Sequence, residues 1–105
     1  MPEIQKKIIE GITRGRIKWQ RHAFERMMER DIYRTDVLQV LKTGEMIEEY
    51  PKDHPLPSGL FLGFNGKIPL HVVASIDIKT GWCYIVTAYH PDTKHFKSDY
   101  KTRKK

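Results

Sequence analysis

A single cysteine, Cys83, excludes an internal disulfide in this chain of 105 residues, and its position inside a β-branched and aromatic run suits a small buried apolar group in a reducing compartment. No HxxxH, HxH or CxxC spacing occurs, so the sequence supplies no structural zinc site and implies no metal. The glycines form neither a phosphate-binding loop nor a dinucleotide fingerprint, no GxSxG elbow is present, and Ser58, Ser75 and Ser98 show no local nucleophile geometry. No apolar run approaches the roughly 18 residues of a membrane span, and no apolar stretch follows a basic N-terminal start. The expectation is a cytoplasmic protein that needs no cofactor and no membrane. Its length allows one domain, residues 1–105, with one core.

Positive charge is plentiful and unevenly placed. The formal net charge is +6. Residues 13–34 hold seven Lys/Arg against three acids, and residues 94–105 hold six against one, while residues 35–93 are net acidic. Such asymmetry favours a polyanionic partner, although a soluble basic surface without a specific partner is equally compatible with it.

Helical spacing dominates the first 44 residues. Ile4, Ile8 and Ile12 recur at one-turn intervals in a helix over 2–14 that Gly15 ends; a second helix over 20–30 turns Ala23 and Met27 inward. Thr35 or Asp36 caps a third, with Val37, Leu38, Val40 and Leu41 as its buried stripe and Gly44 at its end. Residues 16–19 read as a link between the first two helices. From Met46 the period changes to two: strands are expected over 45–50 and 60–64, around a Pro-rich loop, then in two longer runs within Ile68–Pro91. Short connections imply antiparallel neighbours, and the expected fold is α+β, with N-terminal helices on one face of a four-stranded antiparallel sheet. The basic tail from about residue 97 is expected to be flexible unless Phe96 and Tyr100 pin it to the sheet.

The central hairpin closes through Lys79-Thr80-Gly81, which sets Ile78 opposite Trp82. Period-two alternation then puts Leu70, Val72, Ala74, Ile76, Trp82, Tyr84, Val86 and Ala88 on the core face. His71, Val73, Ser75, Asp77, Cys83, Ile85, Thr87 and Tyr89 share the other, with His71 directly across from Tyr89 and Thr87 one pair further along. Few aromatics fall on that polar face, which argues against base stacking as a binding mode.

Two groups of residues can carry chemistry. His22, Arg26 and Arg30 are spaced i, i+4, i+8 along one side of the second helix, where arginines can clamp a phosphate and a histidine can exchange a proton near neutral pH. Glu25 and Glu29 can instead pair with Arg21 and Arg26 and make the stripe a self-neutralised surface. His71 beside Tyr89 and Thr87 is the second group; a lone strand histidine is otherwise a hydrogen-bonded structural residue. His54, His90 and His95 fall in loop, opposite face and tail, and read as incidental.

The ordered set His22-Ala23-x-x-Arg26-Met27-x-x-Arg30-x-Ile32, Val40-Leu41-x-x-Gly44, Ile47-Glu48-x-Tyr50, Asp53-x-Pro55-x-Pro57-Ser58, Pro69-Leu70-His71-Val72-Val73, Thr87-Ala88-Tyr89-x-Pro91-Asp92 and Arg103-Lys104 resembles the small prokaryotic family catalogued as domain of unknown function 4258. Phe96, where that pattern has Trp, and the additional N-terminal isoleucine helix are departures. The resemblance extends to compact toxins of the BrnT and RelE kind, and implies their helix-on-sheet fold and RNA cleavage without a metal. On that reading His22 and His71 are the acid–base pair, Arg26 and Arg30 hold the phosphate, and Tyr89 orients a histidine or donates a proton. Thr87, Arg14, Arg16, Lys18 and Arg103 hold the RNA, and an antitoxin protein is the expected partner. The arrangement requires the second helix to lie near the His71 end of the sheet. The alternative is a nucleic-acid-binding or protein-partner module without catalysis, which asks nothing of the histidines.

Overall fold

Helices and strands succeed one another as α1 (Glu3–Thr13), β1 (Ile17–Trp19), α2 (Arg21–Glu29), α3 (Arg34–Thr43), β2 (Glu45–Tyr50), β3 (Ser58–Asn65), β4 (Ile68–Asp77) and β5 (Trp82–Tyr89), in a computed structural model that describes residues 2–104. The isoleucine stripe works as its spacing requires: Ile4, Ile8 and Ile12 are all buried, and Gly15, at φ +72°, takes the chain out of the helix. Gly11 has a packing reason to be glycine. A Cβ there would meet Cys83 Sγ at 2.6 Å and the Gly81 carbonyl oxygen at 2.8 Å, so α1 can lie close against the β4–β5 hairpin only without one. The third helix starts a little earlier than its cap residues suggest. Tyr33 is the N-cap, and the Asp36 carboxylate reaches back to accept its N–H at 3.1 Å.

The sheet has five strands, in the order β1-β5-β4-β3-β2, and is mixed rather than four-stranded and antiparallel. The extra strand is Ile17–Trp19, expected as a link. It runs parallel to β5, pairing Ile17 with Cys83 and Trp19 with Ile85, and Cys83 N–H donates to the Arg16 carbonyl at 2.9 Å. Three residues cannot display a period, so only the bare edge of β5 that they cover accounts for the strand.

The hairpin corrects the expected facing. Asp77, not Ile78, pairs with Trp82, so the loop holds four residues and closes with Gly81 N–H donating to the Asp77 carbonyl at 2.7 Å. Gly81 sits at φ +79°. One residue lost from the pairing at the loop is regained at a β-bulge: Val73 pairs with Thr87 but Ala74 with Ile85, leaving Val86 unpaired. The two departures cancel beyond the bulge, and His71 faces Tyr89 as the alternation implied. Before the bulge every side chain of β5 is on the opposite face from the one expected. Cys83 and Ile85 are core; Trp82 and Tyr84 are half-buried and Val86 is exposed.

One face of the sheet is therefore covered by the helices, with Ala23, Met27, Val37, Val40 and Leu41 packed on Phe61, Leu70, Val72, Ala74, Ile76, Cys83, Ile85 and Ala88. The other is covered at one end only. There the C-terminal segment folds back as a small hairpin, with Phe96 bridging to Arg103 and Lys97 N–H donating to the Thr102 carbonyl at 2.8 Å. Both residues on which the tail's order was conditional take part: Phe96 is buried, and the Tyr100 carbonyl is bonded to His71. The Asp99 carboxylate closes the turn by accepting the Thr102 hydroxyl and the N–H groups of Thr102 and Lys101, which hold it at about 2. Among the described residues no helix is long and apolar enough to cross a membrane.

Candidate nucleic-acid interface

Pairing across the strands sets out the face away from the helices as a grid. Leu62, His71 and Tyr89 form one row; Glu48, Leu60, Val73 and Thr87 the next; Tyr50, Ser58, Ser75 and Tyr84 a third; Asp77 and Trp82 the last. The tail covers the first row and the edge of the second. The remaining rows are open and form a groove of about 550 Å³ between the 53–56 loop and β5, with Val73, Val86 and Tyr84 on its walls and Gln20, Asp53, His54, Ser58 and Ser75 as polar groups. In the last row of the same face Lys18 Nζ lies 5.2 Å over the Trp82 ring. β1 delivers that lysine: Ile17 and Trp19 pack toward the core, so the residue between them must point to the open face. The groove floor is fixed by the buried Ser58, whose hydroxyl donates to Asp53 Oδ2 at 2.6 Å.

The covered end is built differently. His71 is fully buried, 4.7 Å from the Phe96 ring and 5.3 Å from the Tyr89 ring, both edge-on. Its Nε2 lies 2.6 Å from the Tyr100 carbonyl oxygen, which can only accept, so Nε2 carries the proton and Nδ1 accepts the Tyr89 hydroxyl at 3.2 Å. Burial is the main reason its pKa is lowered, the Tyr100 carbonyl pulling the other way, and burial raises that of Tyr89. Beside this pair Arg103 clamps Glu48 through Nε at 2.6 Å and Nη2 at 2.9 Å, and its guanidinium lies 4.8 Å over the Phe96 ring. The Arg103 bond is the leading cause that lowers the Glu48 pKa; Tyr50 also donates to that carboxylate.

The residues singled out in the sequence are dispersed. His22 is exposed on α2, in the helical layer, and His71 is buried on the opposite face of the sheet, so the proposed acid–base pair is not assembled. Arg26 is 3.3 Å from Glu29 and Arg21 3.0 Å from Glu25, which makes the stripe the self-neutralised surface. Arg30 donates to the Ala88 carbonyl at 2.9 Å, beyond the three residues of β5 that β1 covers. Arg14 is exposed at the end of α1, and Arg16 donates to the Thr80 carbonyl at 2.9 Å. Of the residues singled out, His71, Lys18, Thr87, Tyr89 and Arg103 belong to the face away from the helices. Of these Lys18 reaches its open end.

Three features were missed. Trp82 and Tyr84 were assigned to the core because a bulge leaves no mark in alternation, although a tryptophan and a tyrosine two apart could equally mark either face. Asp53 and Ser58 were both read as loop, and five-residue spacing carries no pairing signal. His95, read as incidental, has Nδ1 3.1 Å from Asp92 Oδ1 and lines a cavity of about 180 Å³ with Tyr89, Pro91, Asp92, Phe96 and Arg103. Among the described residues no group of three or more His, Cys, Asp or Glu is placed to hold a metal ion.

Fold and surface define an α+β domain of three helices on a five-stranded sheet whose second face is half covered by its own C-terminus. Residues 19–90 match the model of the family described as domain of unknown function (DUF4258), and the chain belongs to that family. No curated protein and no solved structure matches it.

Proposed function

We propose that this is a cytoplasmic, single-stranded RNA-binding protein that holds the strand on the open half of its sheet. The observation that carries the reading is the placement of Trp82 and Tyr84 on that face, with Lys18 above Trp82. Aromatic rings accept stacked bases and a lysine beside them meets the phosphates. The +6 net charge and the basic tail folded over the same face favour a polyanion further. The measurement is the affinity for single-stranded RNA oligonucleotides at two salt concentrations. Trp82→Ala should weaken binding by about 1–3 kcal/mol, while His22→Ala leaves it unchanged. Binding that is insensitive to Trp82 overturns the reading.

Cleavage of the bound strand, as in a metal-independent endoribonuclease toxin held by an antitoxin, is the second reading. It is favoured by the cavity at the covered end, where Asp92 orients His95 beside Arg103 and Tyr89. With Nδ1 held by the carboxylate, His95 Nε2 takes the 2′-hydroxyl proton as the 2′-oxygen attacks phosphorus, and the P–O5′ bond breaks with the 5′-oxygen taking a proton from water. RNA cleavage in excess EDTA that is lost in His95→Ala supports it. Binding without cleavage leaves the first reading alone.

A further inference from the structure

Within the RNA-binding reading, on which this rests, one residue of the groove is out of place. Asp53 is the acidic residue among the described residues lining the groove, and a carboxylate beside a bound strand repels phosphate. It is nonetheless held firmly. Oδ2 accepts the hydroxyl of Ser58, whose own backbone is locked into the β2–β3 and β3–β4 pairings, and Asp53 N–H donates to the Tyr50 carbonyl at 3.2 Å. A carboxylate fixed at the floor edge of an aromatic-walled groove is suited to a donor edge of a base, not to the backbone.

We infer that Asp53 makes this groove a guanine-selective subsite. Guanine presents two adjacent donors on its Watson–Crick edge, N1–H and the N2 amino group, and a carboxylate accepts both side by side. Adenine and cytosine present one amino group next to an acceptor, which the carboxylate opposes, and uracil presents a single N–H between two carbonyl groups. The Tyr84 ring, Val73 and Val86 supply apolar surface for the base plane, and Gln20, His54 and Ser75, also in the lining, are groups able to donate to the acceptors O6 and N7. The volume of about 550 Å³ falls within the roughly 300–1,000 Å³ of small-ligand sites and takes one nucleoside.

The test compares binding of a uridine heptamer with heptamers carrying guanosine, adenosine or inosine at the centre, by anisotropy, against the full-length protein. Guanosine should bind about tenfold tighter than uridine or adenosine, a typical reward for a paired base contact. Inosine, which keeps N1–H but lacks the N2 amino group, should lose most of that gain, and this arm needs no protein variant. Asp53→Asn, confirmed folded by its melting curve, should bind all four oligonucleotides equally. Equal binding of the four by the wild type, inosine as good as guanosine, or a guanosine preference that survives in Asp53→Asn overturns the inference while the RNA-binding reading stands. No binding of any heptamer, or binding untouched by Trp82→Ala, overturns both.

Discussion

The two ends of one sheet face carry the same kinds of residue, aromatic and polar side chains in alternation, and use them in opposite ways. At the covered end each polar group of His71 is spent inside the protein, on Tyr89 and on the Tyr100 carbonyl, under the Phe96 ring. At the other end Tyr84 lines a groove that none of the described segments covers, and in the next row of the same face Trp82 lies under Lys18. Chemistry-bearing residue types are therefore a poor guide to the functional end. The histidine and tyrosine that drew attention hold the tail in place, and the surface available to a ligand belongs to residues that a regular alternation hides in the core.

The sharpest contrast lies within β5. Deleting Tyr84 should abolish cooperative unfolding, because it turns Cys83 out of the core and breaks every pairing toward the loop. Deleting Val86 removes only the unpaired residue, leaving Ile85 on the core face and Thr87 across from Val73; circular dichroism melts should show a folded protein about 1 kcal/mol less stable or better. Next in size is the covered end. His71→Ala should cost about 2–4 kcal/mol by urea denaturation, through the cavity and the orphaned Tyr100 carbonyl, and Phe96→Ala a similar amount, without altering the groove.

Acid should act on the covered end, in two steps. The His71 pKa is lowered in the folded protein, so the unfolded chain binds the proton first, and stability falls as pH drops from about 6.5 toward the folded pKa. Glu48 is lowered too. Its contribution is complete above the ordinary carboxylate range and is lost as pH falls through its folded value. Urea melts at about pH 7, 5.5 and 4 should show two successive losses, the first absent in His71→Gln and the second in Glu48→Gln. The smallest effect is expected of Arg103→Ala, about 1 kcal/mol after solvent screening, because that guanidinium is half exposed although it holds Glu48 with two nitrogens.

Much of the fold was legible. Ile4, Ile8 and Ile12, the Val37–Leu41 stripe, Gly15 and the change of period at Met46 mark three helices before a sheet, because burial and termination act within one or two turns of chain. The β1 strand was not legible, since its stabilisation comes wholly from the edge it covers. Nor was the bulge, which costs one residue of register and is compensated by one residue of loop; the His71–Tyr89 pair was foreseen only because the two cancel. At the site the residues fared worse. His22, Arg26 and Arg30 share a helix face, but sequence spacing says nothing about which side of a sheet that face meets, and the nearest carboxylates and the Ala88 carbonyl satisfy the arginines.

The central claim is that the open end of the sheet, and not the helical layer, receives the strand. The two tryptophans report on it separately: Trp82 lies on the open face, and Trp19 packs toward the core beside Arg34. Their indole N–H resonances, followed by NMR while a single-stranded RNA heptamer with a central guanosine is added, give the most direct test. The Trp82 signal should shift with saturation and the Trp19 signal should stay in place. A Trp19 signal that shifts while Trp82 is unmoved would contradict the claim and put the ligand on the helices.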